Sequence, residues 1–345
     1  MGEVCRIGLD IAKNVFQVHG VDKHGRDVLK KKLQRSVVLS FFANLPPCLV
    51  GIEACGGSYY WAREISKLDT EHTVRLISPR LVKPFVINNK TDAADARAIC
   101  EVVGRPSTNF VPIKTVAQQD MAAWHRIRAL KIKMRTALVN QVRALLLEQG
   151  VVIPQGVLHV RRQLPTIIED QDNGLSLTAR DYLSDLYSEI VDCDERIGKC
   201  DERINSFAKT DETCKRLLKV PGIGPLIATA IVAHVSNAHN YRNGRAFASS
   251  LGLTPREYSS GGKQKLLGIS KRGNTYLRQL IIQGMRNIQR SWLTREKART
   301  RTESWLWELV VRRGKYVAVV ALANKTARII WAMLARGEEY RATMA

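Results

Sequence analysis

The sequence predicts a mixed α/β domain followed by a largely α-helical one, the two joined by long helices. Three observations predict it. The first 112 residues run strand, strand, strand, helix, strand, helix, strand, helix, an order that builds a mixed sheet with helices packed on it. Residues 114–149 and 177–208 each sustain an amphipathic helical pattern. Residues 276–334 are again helical in pattern. The expected division is therefore 1–112, a long-helix arm and linker over 113–212, and a helical domain over 213–345.

Residues 4–10 (VCRIGLD) read as a strand with Cys5, Ile7 and Leu9 on one face and Asp10 on the other. Residues 15–20 (VFQVHG) continue as a second strand, 22–25 make a polar turn, and 27–34 (DVLKKKLQ) close an antiparallel meander. A short helix over 36–45 is stopped by Pro46 and Pro47. Residues 48–54 (CLVGIEA) are a compact apolar run suited to a buried central strand, with Glu53 at its C-terminal end. A helix over 59–68 and an apolar strand over 73–77 (TVRLI) follow. Thr91 is a good N-cap, and the residues after it are mostly strong helix formers. A helix starting there puts Asp92 and Asp95 on one face.

Those two carboxylates either complement the helix dipole or hold a divalent metal through hard oxygen ligands. Asp10 and Glu53 lie at the ends of two apolar strands that can be neighbours in the centre of the sheet. With Asp92 and Asp95 they make a four-carboxylate cluster. Two unit charges about 4 Å apart repel by roughly 4 kcal/mol at an effective dielectric near 20. Four ionised carboxylates in one pocket therefore raise one another's pKa values unless cations neutralise them. Two Mg²⁺ ions about 3.5–4 Å apart do so and grip both oxygens of a phosphodiester displacement.

Charge sets the class of partner. The chain of 345 residues carries a net +22. Residues 215–345 hold 24 Lys and Arg against 6 Asp and Glu, a net of +18, whereas 169–212 are −8 and 1–168 are +12. A basic surplus gathered in one region suggests a polyanion, most simply nucleic acid. No apolar run reaches the roughly 18 residues that cross a bilayer, and no signal peptide, myristoylation site or basic amphipathic anchor stands out, so no membrane partner is expected. The seven cysteines are scattered and never form a CxxC pair, which argues against disulfides and zinc and fits a reducing cytoplasm.

In the second half, Leu130, Met134, Leu138, Val142 and Leu145 mark an apolar stripe on the helix over 114–149. Arg126, Arg128, Lys131, Lys133, Arg135 and Arg143 decorate it as a solvated face, with a phosphate-tracking face as the alternative. Residues 150–165, with two prolines and two glycines, read as a connector. The helix over 177–208, with Leu183, Leu186, Ile190, Ile197 and Ile204 among acids, is a poor DNA surface and a better coiled-coil arm. VPGIG at 220–224 resembles the hairpin of helix-hairpin-helix modules, whose glycines (here Gly222 and Gly224) let backbone N–H groups meet a DNA phosphate without reading sequence; the alternative is a tight turn between packed helices. Over 246–280 a helix ends at Leu251 with Gly252 as its cap, and a polar loop follows with Ser259 and Ser260. Arg256, Lys263, Lys265, Lys271 and Arg272 flank the serines as phosphate contacts able to stabilise charge on a pentavalent phosphorus. Trp292, Trp305, Trp307 and Trp331 are expected in the core, with one or two free to stack on bases.

GLDIAK (8–13), GIEACG (51–56) and KTDAADA (90–96) resemble the Asp-Glu-Asp-Asp pattern of the RuvC-like, RNase H-fold transposases of DEDD insertion sequences. The block GLTPREYSSGG resembles their C-terminal catalytic domain, in which the serine just before the glycine is the nucleophile; here that is Ser260, with Ser259 as its neighbour. The resemblance implies an RuvC-like first domain with Asp10, Glu53, Asp92 and Asp95 as ligands of about two Mg²⁺ ions. It further implies a bridge-RNA-guided recombinase: an element-encoded structured RNA pairs with double-stranded donor and target DNA, and Ser260 forms a covalent phosphoserine link. The acids and the serine of one active site would come from different protomers of a homodimer or homotetramer in a bacterial, nucleoid-associated setting. Two other functions fit parts of the sequence. One is a metal-dependent Holliday-junction-type endonuclease that uses water as nucleophile. The other is a non-catalytic packaging protein, for which charge alone suffices.

Overall fold

The structure, a computed structural model, describes residues 3–87, 89 and 91–343; Lys90, which begins the KTDAADA motif, lies outside the described residues. The chain divides into two compact units, Met1–Thr115 and Val116–Ala345. The long helices of the arm fall in the second.

The first unit is built on strands β1 (Arg6–Asp10), β2 (Val15–Val21) and β3 (Asp27–Gln34), then helix α1 (Val38–Ala43), strand β4 (Leu49–Glu53), helix α2 (Ser58–Ser66) and strand β5 (Thr73–Ile77). A one-turn helix α3 (Pro79–Val82), helix α4 (Asp92–Val103) and a short strand β6 (Phe110–Val111) complete it. The sheet order is β3-β2-β1-β4-β5-β6. β1 pairs antiparallel with β2 and parallel with β4, so the sheet is mixed as expected. Its core is made by Ile7, Leu9, Phe16, Val18, Val50, Ile52, Trp61 and Leu76, all buried. The expected helix over 36–45 opens as a 3₁₀ turn at Arg35–Val37 before α1 begins.

α4 seats on the other face of the sheet, and two glycines let it. A Cβ on Gly8 would lie 2.0 Å from the Ala96 carbonyl oxygen, and one on Gly51 would lie 2.7 Å from the Val103 Cβ. Both distances are impossible for real atoms, so only glycine at these two strand positions allows the helix to approach so closely. Each glycine precedes an acid by two residues, which ties the depth of the helix to the placement of the carboxylates.

The second unit contains α5 (Val116–Glu148), α6 (Val157–Glu169), α7 (Leu177–Thr210), α8 (Glu212–Leu217), α9 (Pro225–His234) and α10 (Gly244–Ser250). A two-stranded ribbon of β7 (Pro255–Glu257) and β8 (Leu266–Ile269) leads into α11 (Thr275–Leu293), α12 (Arg301–Arg313) and α13 (Lys315–Arg336). α5 and α7 pack antiparallel, with Arg128 on Asp201 and Arg135 on Asp194. On α7 the seam is Leu183, Ile190, Ile197 and Ile204 at seven-residue spacing, each buried. Burial of each such side chain contributes about 1.5–3 kcal/mol, which holds the arm together.

Several expectations change here. On α5, Leu130 and Met134 are exposed, and the buried face is Met121, Ala122, His125, Val139, Val142 and Leu146. That face keeps coiled-coil spacing only if Arg128 and Arg135 occupy two of its positions, where α7 supplies aspartates; they are seam residues rather than part of a solvated face. Arg143 donates to the Ile153 carbonyl at 3.1 Å. The connector ends at Gly156, because α6 carries Pro165 within it and buries Val160 and Leu164. Of the four tryptophans expected in the core only Trp292 is buried, and the other three are half-buried. Trp307 donates to the Trp292 carbonyl at 3.2 Å, Trp331 donates to Ala238 at 3.0 Å, and Trp305 carries Lys325 over its ring at 4.7 Å. α13 alone among the described helices is long and apolar enough to cross a membrane, a signal the sequence reading did not register. Its buried face, from Ala318 to Met333, belongs to the core it shares with α10, α11 and α12.

Candidate active site

Parallel pairing of β1 and β4 puts Leu9 opposite Ile52, so Asp10 and Glu53 leave adjacent strands at the same edge of the sheet. Asp92 and Asp95 enter on the first turn of α4, whose N-cap Thr91 accepts a hydrogen bond from the Ala94 N–H at 3.2 Å. The four acids expected to act together thus arrive at one end of one unit, on three elements. Their fields overlap. Burial, followed by the charges of Asp95, Asp92 and Glu53, pushes the Asp10 carboxyl from 3.8 up to about 6. The Cys55 thiol beside them is pushed upward by burial and then by Glu53 and Asp10, which disfavours its thiolate. Cys55 was not singled out from the sequence; its place two residues beyond Glu53 was the available signal.

Among the described residues no three His, Cys, Asp or Glu side chains are drawn together tightly enough to hold a metal ion. The donor set is all carboxylate oxygen, the hard-ligand chemistry that Mg²⁺ takes. The residues fit the ion.

In the second unit the polar loop expected to carry the two serines is a β-hairpin. β7 and β8 pair antiparallel, and at the tip the Lys263 N–H donates to the Ser260 carbonyl at 3.1 Å. Gly261 and Gly262 both have positive φ, 56° and 76°, the pattern of a tight I′ hairpin turn. The two serines differ. Ser259 Oγ donates to Glu257 at 2.7 Å and accepts from the Lys265 N–H at 3.2 Å. Among the described residues nothing bonds the Ser260 hydroxyl, which stands exposed at the tip. Arg256, Lys263, Lys265, Lys271 and Arg272 are all exposed around it. The buried Arg278, missed from the sequence, pins the base of the ribbon by donating to the Leu251 and Arg272 carbonyls at 2.9 and 3.0 Å.

Gly222 and Gly224 part ways as well. Gly222 has φ 80°, and a Cβ there would lie 2.6 Å from Ile288 and Met285, so this glycine serves packing of the turn against α11. Gly224 is the N-cap of α9 and has open space where a Cβ would stand. The acids and the serine hairpin lie in different units.

Comparison with known proteins agrees with both halves. The model of the IS110-type DEDD transposases matches residues 7–150, and that of the transposase IS116/IS110/IS902 family matches residues 214–301. A Pseudomonas aeruginosa protein named "Probable family 20 transposase" is 46% identical over 98% of this chain and 99% of its own. The transposase for insertion sequence element IS1111A of Coxiella burnetii is 42% identical over 99% of this chain and 92% of its own, and that for IS1328 of Yersinia enterocolitica 39% over 98% of each.

Proposed function

The chain belongs to the IS116/IS110/IS902 family of DEDD transposases, enzymes that cut and rejoin DNA, and from that premise we propose that it works through a phosphoserine intermediate on Ser260. The observation that carries this reading is the contrast at the hairpin tip, with the Ser259 hydroxyl held by two hydrogen bonds and, among the described residues, the Ser260 hydroxyl by none. A nucleophile must be free to reach its target, and a serine is weak without activation.

In the proposed step the Ser260 Oγ–P bond forms as a phosphorus–ester oxygen bond of the DNA strand breaks. The serine proton is passed on, and the departing sugar oxygen leaves as a hydroxyl. A hydroxyl of the partner strand then attacks the phosphoserine, restoring Ser260 and closing the new phosphodiester. Bond energy is conserved, so no external cofactor is needed for rejoining. Asp10, Glu53, Asp92 and Asp95 would hold Mg²⁺, which when bound neutralises charge on the phosphate and on the departing oxygen. Lys263, Lys265 and Arg256 on the ribbon, with Lys271 and Arg272 at its base, steady the non-bridging oxygens. The Gly224 turn at the start of α9 offers backbone N–H groups to a flanking phosphate.

DNA is the substrate. An element-encoded RNA as guide, assembly as a dimer or tetramer with acids and serine from different protomers, the RNase H-like assignment of the first unit and its boundary near residue 112 are parts of the same proposal. The family match and the sheet order β3-β2-β1-β4-β5-β6 support the RNase H-like assignment among these. A cytoplasmic site of action follows from the substrate. One observation favours a second reading, in which water replaces serine: the acids alone suffice for metal-dependent hydrolysis. Incubation of the protein with donor and target DNA, the element's RNA and Mg²⁺ separates them. A protein–DNA adduct lost in Ser260→Ala supports the recombinase; cleavage without adduct supports the nuclease and overturns the phosphoserine.

A further inference from the structure

On the flank of α4 away from Glu53, a groove of about 750 Å³ runs over β2 and β3. It follows α4 from Thr91 to just past its end at Arg105, about 18 Å for a helix of this length. Its floor opens beside the carboxylates, because Gln17, which lines it, is paired with Asp10 in the β1–β2 register.

Four cationic side chains line the groove, and they are not equivalent. Lys30 is neutralised by Asp27 at 2.8 Å and Arg105 by Glu101 at 3.0 Å. Arg97 is exposed and, among the described residues, has no carboxylate partner. Arg6 likewise has none, and its Nε is buried without a hydrogen-bond acceptor. A buried guanidinium nitrogen without an acceptor is costly, and a planar guanidinium matches phosphate oxygens in bidentate fashion. The surplus charge of the groove is therefore two guanidiniums, Arg97 at the middle of α4 and Arg6 beside Gly104 at its C-terminal end, and uncharged Gln17, Asn89 and Thr91 share the lining.

We propose that this groove holds the phosphodiester backbone of a nucleic-acid strand, with Arg97 and Arg6 as its phosphate contacts. The strand runs along α4 with one end at the carboxylates. No base edge is read there, so the contact positions without specifying. The inference rests on the reading of the protein as a DNA-processing enzyme for its ligand class, and on the groove itself for its place.

The test is equilibrium binding by the full chain in EDTA, where no strand is cut. Labelled single-stranded DNA and RNA of one sequence, about a dozen nucleotides long, are titrated across a range of salt concentrations. Arg97→Gln is expected to weaken binding about three- to tenfold near 0.1 M salt and to lower the slope of log affinity against log salt by about 0.7. Arg97→Lys should recover most of the slope, and adding Arg6→Gln should lower it by a second step of about the same size. Arg196→Gln, on α7 and paired with Asp192, should change neither. Loss on DNA only, on RNA only or on both assigns the strand and supports the groove. Unchanged affinity and slope on both, in the single and the double variant, overturn it. Failure of the catalytic reading is seen separately: strand transfer that survives Asp10→Asn sinks that reading, while the metal-free titration is unaffected.

Discussion

At the scale of single residues, Ser259 and Ser260 are chemically identical and structurally opposite. Ser259 bridges Glu257 and the Lys265 N–H across the ribbon, so Ser259→Ala should loosen the hairpin and slow adduct formation by about tenfold, a loss of roughly 1.4 kcal/mol in line with one charged hydrogen bond. Ser260→Ala should abolish the adduct altogether while leaving DNA affinity within about twofold. Denaturing gels of trapped protein–DNA species distinguish the two, and adducts persisting in Ser260→Ala would move the nucleophile elsewhere. Asp10 gives a prediction about pH. Its proton is held until about pH 6 in the folded chain but only to 3.8 in an ordinary carboxyl. Between those values the native state binds the extra proton, so this group's stabilising contribution falls as pH rises through the window and stays lost above it. The group is partly exposed, and screening limits the penalty to about 1–2 kcal/mol. Metal-free Asp10→Asn should therefore melt above the parent at pH 7.5, with little difference at pH 4. Mg²⁺ should raise the melting temperature of the parent more than that of the variant.

At the scale of elements, the hairpin before α9 sets a glycine packed against α11 beside one with open space where a Cβ would stand. Gly222→Ala places a methyl group 2.6 Å from Met285 and Ile288 at a φ of 80°, and should cost about 2–3 kcal/mol through strain and overpacking. Gly224→Ala meets nothing; it should fold like the parent, so a drop in DNA affinity there reports the phosphate contact directly. Chemical denaturation paired with DNA titration checks both. The same contrast explains what the sequence revealed. The strands at 27–34 and 73–77 were legible to the residue, and Thr91 as an N-cap was legible because a hydroxyl before strong helix formers has one obvious use. The seam of α5 was not, because Arg128 and Arg135 interrupt it, and the more apolar run through Leu130 and Met134 turned out to face solvent. Arginine can occupy a seam only when aspartates wait on the facing helix, which is information held some sixty to seventy residues away. β7 and β8 were missed because their residues are exposed on both faces, save for half-buried Ile269, and leave little alternation to read. Asp10 and Glu53 were legible as strand ends, Asp92 and Asp95 as the first turn of a helix, and Ser260 by its place before Gly261, whereas the hydrogen bonds that set the two serine hydroxyls apart are encoded by no spacing.

At the scale of the whole molecule, the four acids and Ser260 belong to different compact units, and the chemistry proposed needs both at one phosphate. If one active site takes its acids from one protomer and Ser260 from another, two inactive proteins can repair each other. Asp10→Asn supplies a sound serine and Ser260→Ala sound acids. In an equal mixture of freely exchanging dimers, half are mixed, and each mixed dimer has one complete site and one lacking both groups. About a quarter of the parental sites are then intact. Strand transfer by the mixture should recover to about that fraction, while each variant alone gives none. Sites built within a single protomer predict no recovery at any mixing ratio, because every site then lacks either an acid or the serine. The net charge of +22 makes non-specific DNA binding strong at low salt, so the assay belongs near 0.15 M, where phosphate contacts are weakened by counterions and exchange of subunits is not trapped on DNA. Recovery that depends on premixing the proteins before DNA is added identifies the exchange as one between protomers; recovery independent of order would mean that exchange is fast on the timescale of strand transfer. Absence of recovery after denaturation and co-refolding of the two variants, which forces mixing, would confine each active site to one chain.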